Sequence, residues 1–275
     1  MSGSKSFDTA SVAVITGGSS GIGLACAQLF GARHQLVLVD IQAEKLEATA
    51  AALRAAGHTV TPVVTDITAP AQVEKLAETV RGLGKFALLV NAAGISPTMA
   101  NGRRILEVNL IGTARIASAF LPLAGPGSVA VLIASSAGHM AGFNERSDPA
   151  MRDPLRADFW AQMEADTETP ERAYSAGKRG VIVYAQAQAA AWGVRGARIV
   201  TISPGMIETP MGDLEFSKQP LMKTMLEMTP LQRQGKAHEI AALAEFLGSQ
   251  AAAFITGSDF LIDGGITARL RNLAG

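Results

Sequence analysis

An internal disulfide is closed to this chain, because Cys26 is its only cysteine. The same scarcity excludes a cysteine-rich zinc site, and Cys26 falls in an apolar pattern that suits a buried, inert thiol. Histidine is also sparse. His34, His58, His139 and His238 are scattered with no ligand spacing, so no metal is expected. Charge is thin and balanced: 24 Lys and Arg face 24 Asp and Glu, together 17% of the residues. No global field therefore favours nucleic acid or an anionic membrane. Long apolar runs are missing too; stretches such as 129–134 and 86–90 are strand-sized, against the roughly 20 residues that span a bilayer. Residues 1–10 are small and polar, without the apolar core of a secretory signal. These absences lead us to expect a cytoplasmic chain with no nucleic-acid or membrane partner.

What is present is apolar material, 48% of 275 residues, enough for one sizeable core and consistent with one domain over 1–275. Short β-rich runs at 11–16, 35–40, 59–64, 86–90, 128–134, 197–203 and 260–262 alternate with helical stretches. The helices are read at 21–32, 41–56, 70–80, 102–121, 173–193 and 236–248. Continuous rather than alternating apolar strands imply a sheet covered on both faces, and strand–helix alternation implies parallel crossovers. The expected fold is a Rossmann-type α/β doubly wound parallel sheet, with ligands at the carboxyl ends of its strands. The segment 138–172 is too long for an ordinary connection. Asp153 and Pro154 supply an N-cap and a first-turn proline there, and Leu155, Phe159 and Met163 recur every four residues, which predicts a short amphipathic helix in a lid.

Thr16-Gly17-Gly18-Ser19-Ser20-Gly21-Ile22-Gly23 follows the first strand and opens the first helix. Glycines let backbone approach a pyrophosphate, and the helix N-terminus favours its charge. Asp40 ends the second strand, where a carboxylate accepts from both ribose hydroxyls and repels a 2′-phosphate; a helix N-cap is the alternative. Asp66 ends the third strand, as a cap or an adenine contact. Asn91, Ala92, Ala93 and Gly94 end the fourth with the small residues a flat ring requires against backbone. Tyr174 and Lys178 lie four apart on one helix face. Ser135 and Ser136 end the fifth strand at the same rim.

Taken in order, TGGSSGIG, NAAG, Asn109 within Val108-Asn109-Leu110, Ala134-Ser135-Ser136, YSAGK, Pro204-Gly205 and Ile262-Asp263-Gly264-Gly265 resemble the short-chain dehydrogenase/reductase family from end to end. The resemblance implies that Asn109, Ser136, Tyr174 and Lys178 are catalytic. It implies an NAD (NADH) site formed by Gly17, Ser19, Ser20, Gly21, Ile22, Gly23, Asp40, Ile41, Asp66, Ile67, Asn91, Ala92, Ala93, Gly94, Tyr174 and Lys178. Pro204, Gly205, Ile207 and Thr209 complete that site. Two departures stand out: about 37 residues separate Ser136 from Tyr174, and the stretch from Gly94 to Asn109 is short. With AAAWG, SPGMIETP and IDGGI, these make the chain similar to the branch containing 3-alpha-hydroxysteroid dehydrogenase/carbonyl reductase. With the insertion beside it, either Ser136 or its neighbour Ser135 faces the substrate.

A free phenol has a pKa of ~10, too high for a base near neutrality. An ammonium ~4–6 Å away favours phenolate, and Lys178 is expected to supply it while holding the nicotinamide ribose. Tyr174 then takes the hydroxyl proton in oxidation and returns it in reduction. Ser136 stabilises the substrate oxygen, and Asn109, by resemblance, anchors a water joining Lys178 to solvent. The expected substrate is a hydrophobic cyclic or steroid-like alcohol or ketone held by Ser136, His139, Phe159, Trp160, Met163 and Met206. An amino ketone or amino alcohol is the alternative, since 138–172 carries Glu145, Asp148, Asp153, Asp158, Glu164, Asp166, Glu168 and Glu171 against four arginines. A non-catalytic NAD-sensing protein on the same fold would need neither Tyr174 nor Lys178. A homodimer or homotetramer is expected, with the Ala-rich face between Tyr184 and Trp192 suited to helix contact.

Overall fold

The computed structural model describes residues 11–141 and 147–274; the readings of 1–10 and of Glu145 lie outside the described residues. The chain runs β1 (Ser11–Thr16), α1 (Gly21–Phe30), β2 (Gln35–Asp40), α2 (Ala43–Ala55), β3 (Val60–Val64), α3 (Pro70–Leu83) and β4 (Lys85–Asn91). It continues through α4 (Gly102–Leu106), α5 (Thr113–Phe120), β5 (Val129–Ile133), α6 (Ala137–Met140), α7 (Asp148–Arg152), α8 (Phe159–Gln162) and α9 (Pro170–Val194). The last part is β6 (Arg198–Pro204), β7 (Ile207–Glu208), α10 (Pro210–Lys218), α11 (Leu221–Met228), β8 (Gly235–Lys236), α12 (Ala237–Gly248), β9 (Asp259–Ile262) and α13 (Ile266–Ala274).

Seven parallel strands form one sheet in the order β3-β2-β1-β4-β5-β6-β9. The seven apolar runs read from the sequence are these seven strands. Their continuous apolarity has the expected cause. In β1, Val12 and Val14 enter one core while Ala13 and Ile15 enter the other, the period-two alternation of a strand buried on both sides. One core holds Leu76 and Val80 of α3, Phe120 of α5 and Trp192 of α9. The other holds Phe30 of α1, Leu46 of α2 and Ile240 of α12. Strand order reverses between β1 and β4, which opens a crevice at their carboxyl ends.

The helical run Gly102–Leu123 is long and apolar enough to cross a membrane by length and composition, but 61% of its apolar window is buried inside the fold. Ile105, Leu106, Leu110 and Phe120 explain that apolarity as core. Between α4 and α5 the run widens into a π-helical stretch at Glu107–Gly112, a device frequent at functional sites.

The segment 138–172 differs from the expected lid. Asp153-Pro154 opens no helix; the Asp153 carboxylate accepts from the Leu155 amide (3.3 Å), and α8 covers only Phe159–Gln162. Met151, Phe159 and Met163 are at most 1% exposed and belong to the core on the α9 side. Asp148 pairs with Arg179 (2.5 Å) and Asp166 with Arg172 (3.3 Å), tying the segment to α9. From 147 to 172 it is a wedge packed beside α9, because its apolar face is satisfied by the protein's own core. Tyr184 and Trp192 are likewise buried, while Ala187, Ala190 and Ala191 between them are exposed on the outer face of α9.

Candidate active site

The glycine loop between β1 and α1 owes its shape to backbone that a side chain would obstruct. Gly17 has φ +62°, and a Cβ there would lie 2.9 Å from the Ala92 carbonyl carbon. A Cβ on Gly23 would lie 2.2 Å from the Gly17 oxygen. The loop therefore closes against β4 while the first turn of α1 faces the crevice. Asp40, at the end of β2, accepts from the Ser19 amide (3.3 Å) and hydroxyl, and from the Gln42 amide (3.2 Å). Arg33 is turned away, paired with Glu245 at 2.8 Å. Asp66 accepts from the Thr68 amide (2.8 Å) and hydroxyl (2.7 Å) and from Arg104 (3.3 Å). Burial pushes its carboxyl up, but these partners outweigh burial and hold it below the usual carboxylate range.

Residues from β1 to β6 line one cleft of about 760 Å³. Among them are Gly17, Ser19, Ser20, Gly21, Ile22, Gly23, Asp40, Ile41, Asp66, Ile67, Ala92, Ala93 and Gly94. Ser136, Tyr174, Lys178, Pro204, Gly205, Met206, Ile207 and Thr209 share the same wall. Asn91 does not reach it. Its side chain is 1% exposed, accepts from the Thr16 hydroxyl (2.7 Å) and donates to Thr113 (2.9 Å), clamping the loop from behind. Asn109 also stands behind the wall. From the π-helical stretch its amide group binds both Ile95 N–H and Ile95 C=O at 2.9 Å. A Cβ on Gly94 would lie 3.0 Å from Asn109 Oδ1 and 3.6 Å from Lys178 Nζ, so Asn109 positions the loop against which Lys178 lies.

Tyr174 and Lys178 share one face of α9, with Lys178 Nζ 5.8 Å from the centre of the Tyr174 ring. The ammonium donates to the Ile133 carbonyl (2.9 Å) and is 7% exposed; burial lowers its pKa to about 8. Burial raises the Tyr174 phenol, a hydrogen bond with the Ser135 side chain lowers it, and the Glu215 carboxylate raises it further. Of the two serines, Ser135 is thus the one whose side chain acts on the Tyr174 phenol, and its hydroxyl also accepts from the Ala137 N–H (3.2 Å). Ser136 lines the cleft, but its N–H donates to the Pro204 carbonyl (2.8 Å) and among the described residues its hydroxyl binds none of the catalytic groups. Backbone direction at the end of β5 decides between adjacent serines, and motif reading cannot resolve it.

Four residues expected at the substrate lie elsewhere. Phe159 and Met163 are in the core, and Trp160 stacks under Arg103 with the guanidinium carbon 3.9 Å from the ring centre. His139 bonds Asp259 (2.7 Å) and approaches Arg271 (3.4 Å), held toward β9 and α13. Of the segment 138–172, Met140 and Glu171 are the described residues that line the cleft. The acids Asp148, Asp158, Asp166 and Glu168 are spent on Arg179, Arg156 and Arg172.

The substrate-side wall that the sequence reading missed is α10 and α11, with Met211, Leu214, Glu215, Phe216, Met222 and Met225 in the lining, along with Ile266 and Leu270 of α13. A signal for α10 was present. Thr209 accepts from the Gly212 amide (3.1 Å) ahead of Pro210, the same cap-and-proline pair sought at Asp153-Pro154.

Comparison with known proteins agrees with this geometry. Residues 11–147 match the family model of short chain dehydrogenase, and residues 161–267 match that described as enoyl-(acyl carrier protein) reductase. The chain is 33% identical over 264 residues to the short-chain dehydrogenase/reductase bsc3 of Alternaria brassicicola, covering 92% of this chain and 94% of that protein. It is 30% identical over 269 residues to 3-alpha-hydroxysteroid dehydrogenase/carbonyl reductase of Comamonas testosteroni, covering 95% and 98%. A glucose/ribitol dehydrogenase-type structure from Brucella melitensis superposes with a TM-score of 0.74 at 29% identity, covering 94% of this chain and 97% of that one.

Proposed function

The chain belongs to the short-chain dehydrogenase family, as an oxidoreductase of alcohols and ketones, and on that premise we propose that it uses NAD(H) on a hydrophobic cyclic or steroid-like substrate. One observation carries the proposal: Tyr174, Ser135 and Lys178 line the same cleft as the glycine loop and Asp40, with Lys178 Nζ 5.8 Å from the Tyr174 ring centre. The chain 1–275 is read as one dinucleotide-binding unit in the cytoplasm.

The residues present fit a nicotinamide dinucleotide: glycine at 17 and 23 lets the loop close on its own backbone and on Ala92, and the loop with the first turn of α1 then lines the cleft. Ser19 to Gly23, Asp40, Asp66, Ala92 to Gly94, Lys178 and Pro204 to Thr209 would hold it. When bound, the cofactor supplies hydride transfer to or from the carbinol carbon. The protein manages the proton. Tyr174 Oη takes it from the substrate hydroxyl in oxidation and returns it in reduction. Ser135 steadies the same oxygen and hydrogen-bonds the phenol, offsetting part of the rise caused by burial. Lys178, with its pKa near 8, stays mostly protonated at neutral pH and holds a positive charge below Tyr174. Asn109 acts through Ile95 and Gly94 as a positioning residue.

Asp40 supports NAD(H) over NADP(H). A 2′-phosphate would meet its carboxylate, and Arg33 is engaged by Glu245. The test is NADH- and NADPH-linked turnover of a ketone panel by the wild type and by Tyr174→Phe. Higher kcat/KM with NADH and loss of nearly all turnover in the variant, with NADH affinity within a few-fold, are expected. Preference for NADPH, or more than a tenth of wild-type activity in Tyr174→Phe, would overturn the reading.

A further inference from the structure

The substrate end of the cleft is apolar and adaptable in all but one respect. Met99, Met140, Met206, Met211, Met222 and Met225 line it, and thioether side chains fit bulky, irregular apolar bodies. Into this wall α10 brings one carboxylate, Glu215. Its Oε1 accepts from the Thr98 hydroxyl (2.9 Å), and Thr98 is braced by Ser96 (3.1 Å). No Lys, Arg or His among the described residues forms an ion pair with Glu215. Glu171, also in the lining, precedes Tyr174 by one helical turn and presents a second carboxylate on the same face of α9. The other charged groups of the lining include Lys45 on α2, just after β2, and Arg104 on α4, which is paired with Asp66 and Glu107. An anchored carboxylate without a counter-ion in a methionine-lined pocket is the arrangement that a cationic ligand completes.

We propose that Glu215 is a specificity-determining residue, and that the cleft selects an apolar ring-bearing alcohol or ketone whose body carries a protonated amine seated on this carboxylate. This rests on the dehydrogenase reading above and names its substrate class. The chemistry of the neighbouring base points the same way. The Glu215 charge disfavours phenolate at Tyr174, and an ammonium bound to Glu215 offsets that charge at the moment the phenol must accept a proton.

The test uses three ketones of similar size: 1-methylpiperidin-4-one, protonated near neutrality; 4-methylcyclohexanone, neutral; and 4-oxocyclohexanecarboxylate, anionic. NADH oxidation by the full chain at pH 7 should give kcat/KM in the order cationic, neutral, anionic, with at least about tenfold between the first two, as a charge-assisted hydrogen bond supplies. Glu215→Gln should shrink that ratio at least about fivefold, and Thr98→Val should shrink it in the same direction with Glu215 intact. Equal turnover of the cationic and neutral ketones by the wild type, or an unchanged ratio in both variants, overturns the inference while leaving the dehydrogenase reading in place. Absence of NADH- or NADPH-linked turnover with every ketone tried overturns that reading and this inference together.

Discussion

Replacing Phe159 by Ala separates a structural wedge from a substrate lid. Phe159 is 1% exposed, meets Trp160 edge-on with ring centres 5.3 Å apart, and belongs to the core that includes Met163 and Ile105. Deleting a phenyl ring from such a site costs about 3–5 kcal/mol. Large domains lose roughly 2–4 °C of Tm per kcal/mol, and a chain of 275 residues falls at the low end, so the drop should be about 6–10 °C. Trp160→Ala is the graded comparison. It loses the stack with Arg103 at 3.9 Å, about 0.5–1 kcal/mol for an exposed cation–π pair, together with part of the edge contact to Phe159. Its Tm should fall less than half as far. Thermal unfolding of both variants should be paired with steady-state kinetics on ketones of increasing size. The structure requires that the preference for large over small ketones survive both changes, since neither side chain lines the cleft. A Phe159→Ala protein with wild-type Tm that had lost this preference would refute the wedge and restore a lid.

Two further outcomes follow from the site. Ser135→Ala should lower kcat by about 10²–10³-fold, the usual effect of removing a hydrogen bond to the reacting oxygen, whereas Ser136→Ala should lose less than about tenfold; the reverse order in steady-state assays would return the role to Ser136. Lys178→Met should abolish turnover yet stabilise the cofactor-free protein at pH 7. Burial lowers Lys178 from the usual 10.5 to about 8, so the unfolded chain binds more protons between those values and native stability rises with pH there. The cost of the buried ammonium is full below pH 8 and gone above about 10.5, at most about 3 kcal/mol. The stabilisation measured by denaturant unfolding should therefore fade as pH rises through that window, and a gain that did not vary with pH would contradict the assignment.

Backbone periodicity and chain-local chemistry made the scaffold legible in the sequence. Continuous apolar strands such as 35–40 must be covered on both faces, whatever covers them. Gly17 and Gly23 mark backbone approaches that no side chain tolerates, and Tyr174 and Lys178 share a face because helices repeat every 3.6 residues. Those constraints act over a few residues, so they can be read in order along the chain. The tertiary structure decided what no local rule reaches. The apolar face of Phe159 and Met163 found its partner in the protein's own core, although its pattern would serve a substrate equally well. Asn91 and Asn109 turned inward to clamp loops, because each amide meets its hydrogen-bond partners behind the cleft wall. Glu215 became part of the site through a hydrogen bond to Thr98, 117 residues away. Hydrophobic burial is non-directional and polar contacts are directional, so a sequence shows which side chains must be buried or paired, and only the packed fold shows with what.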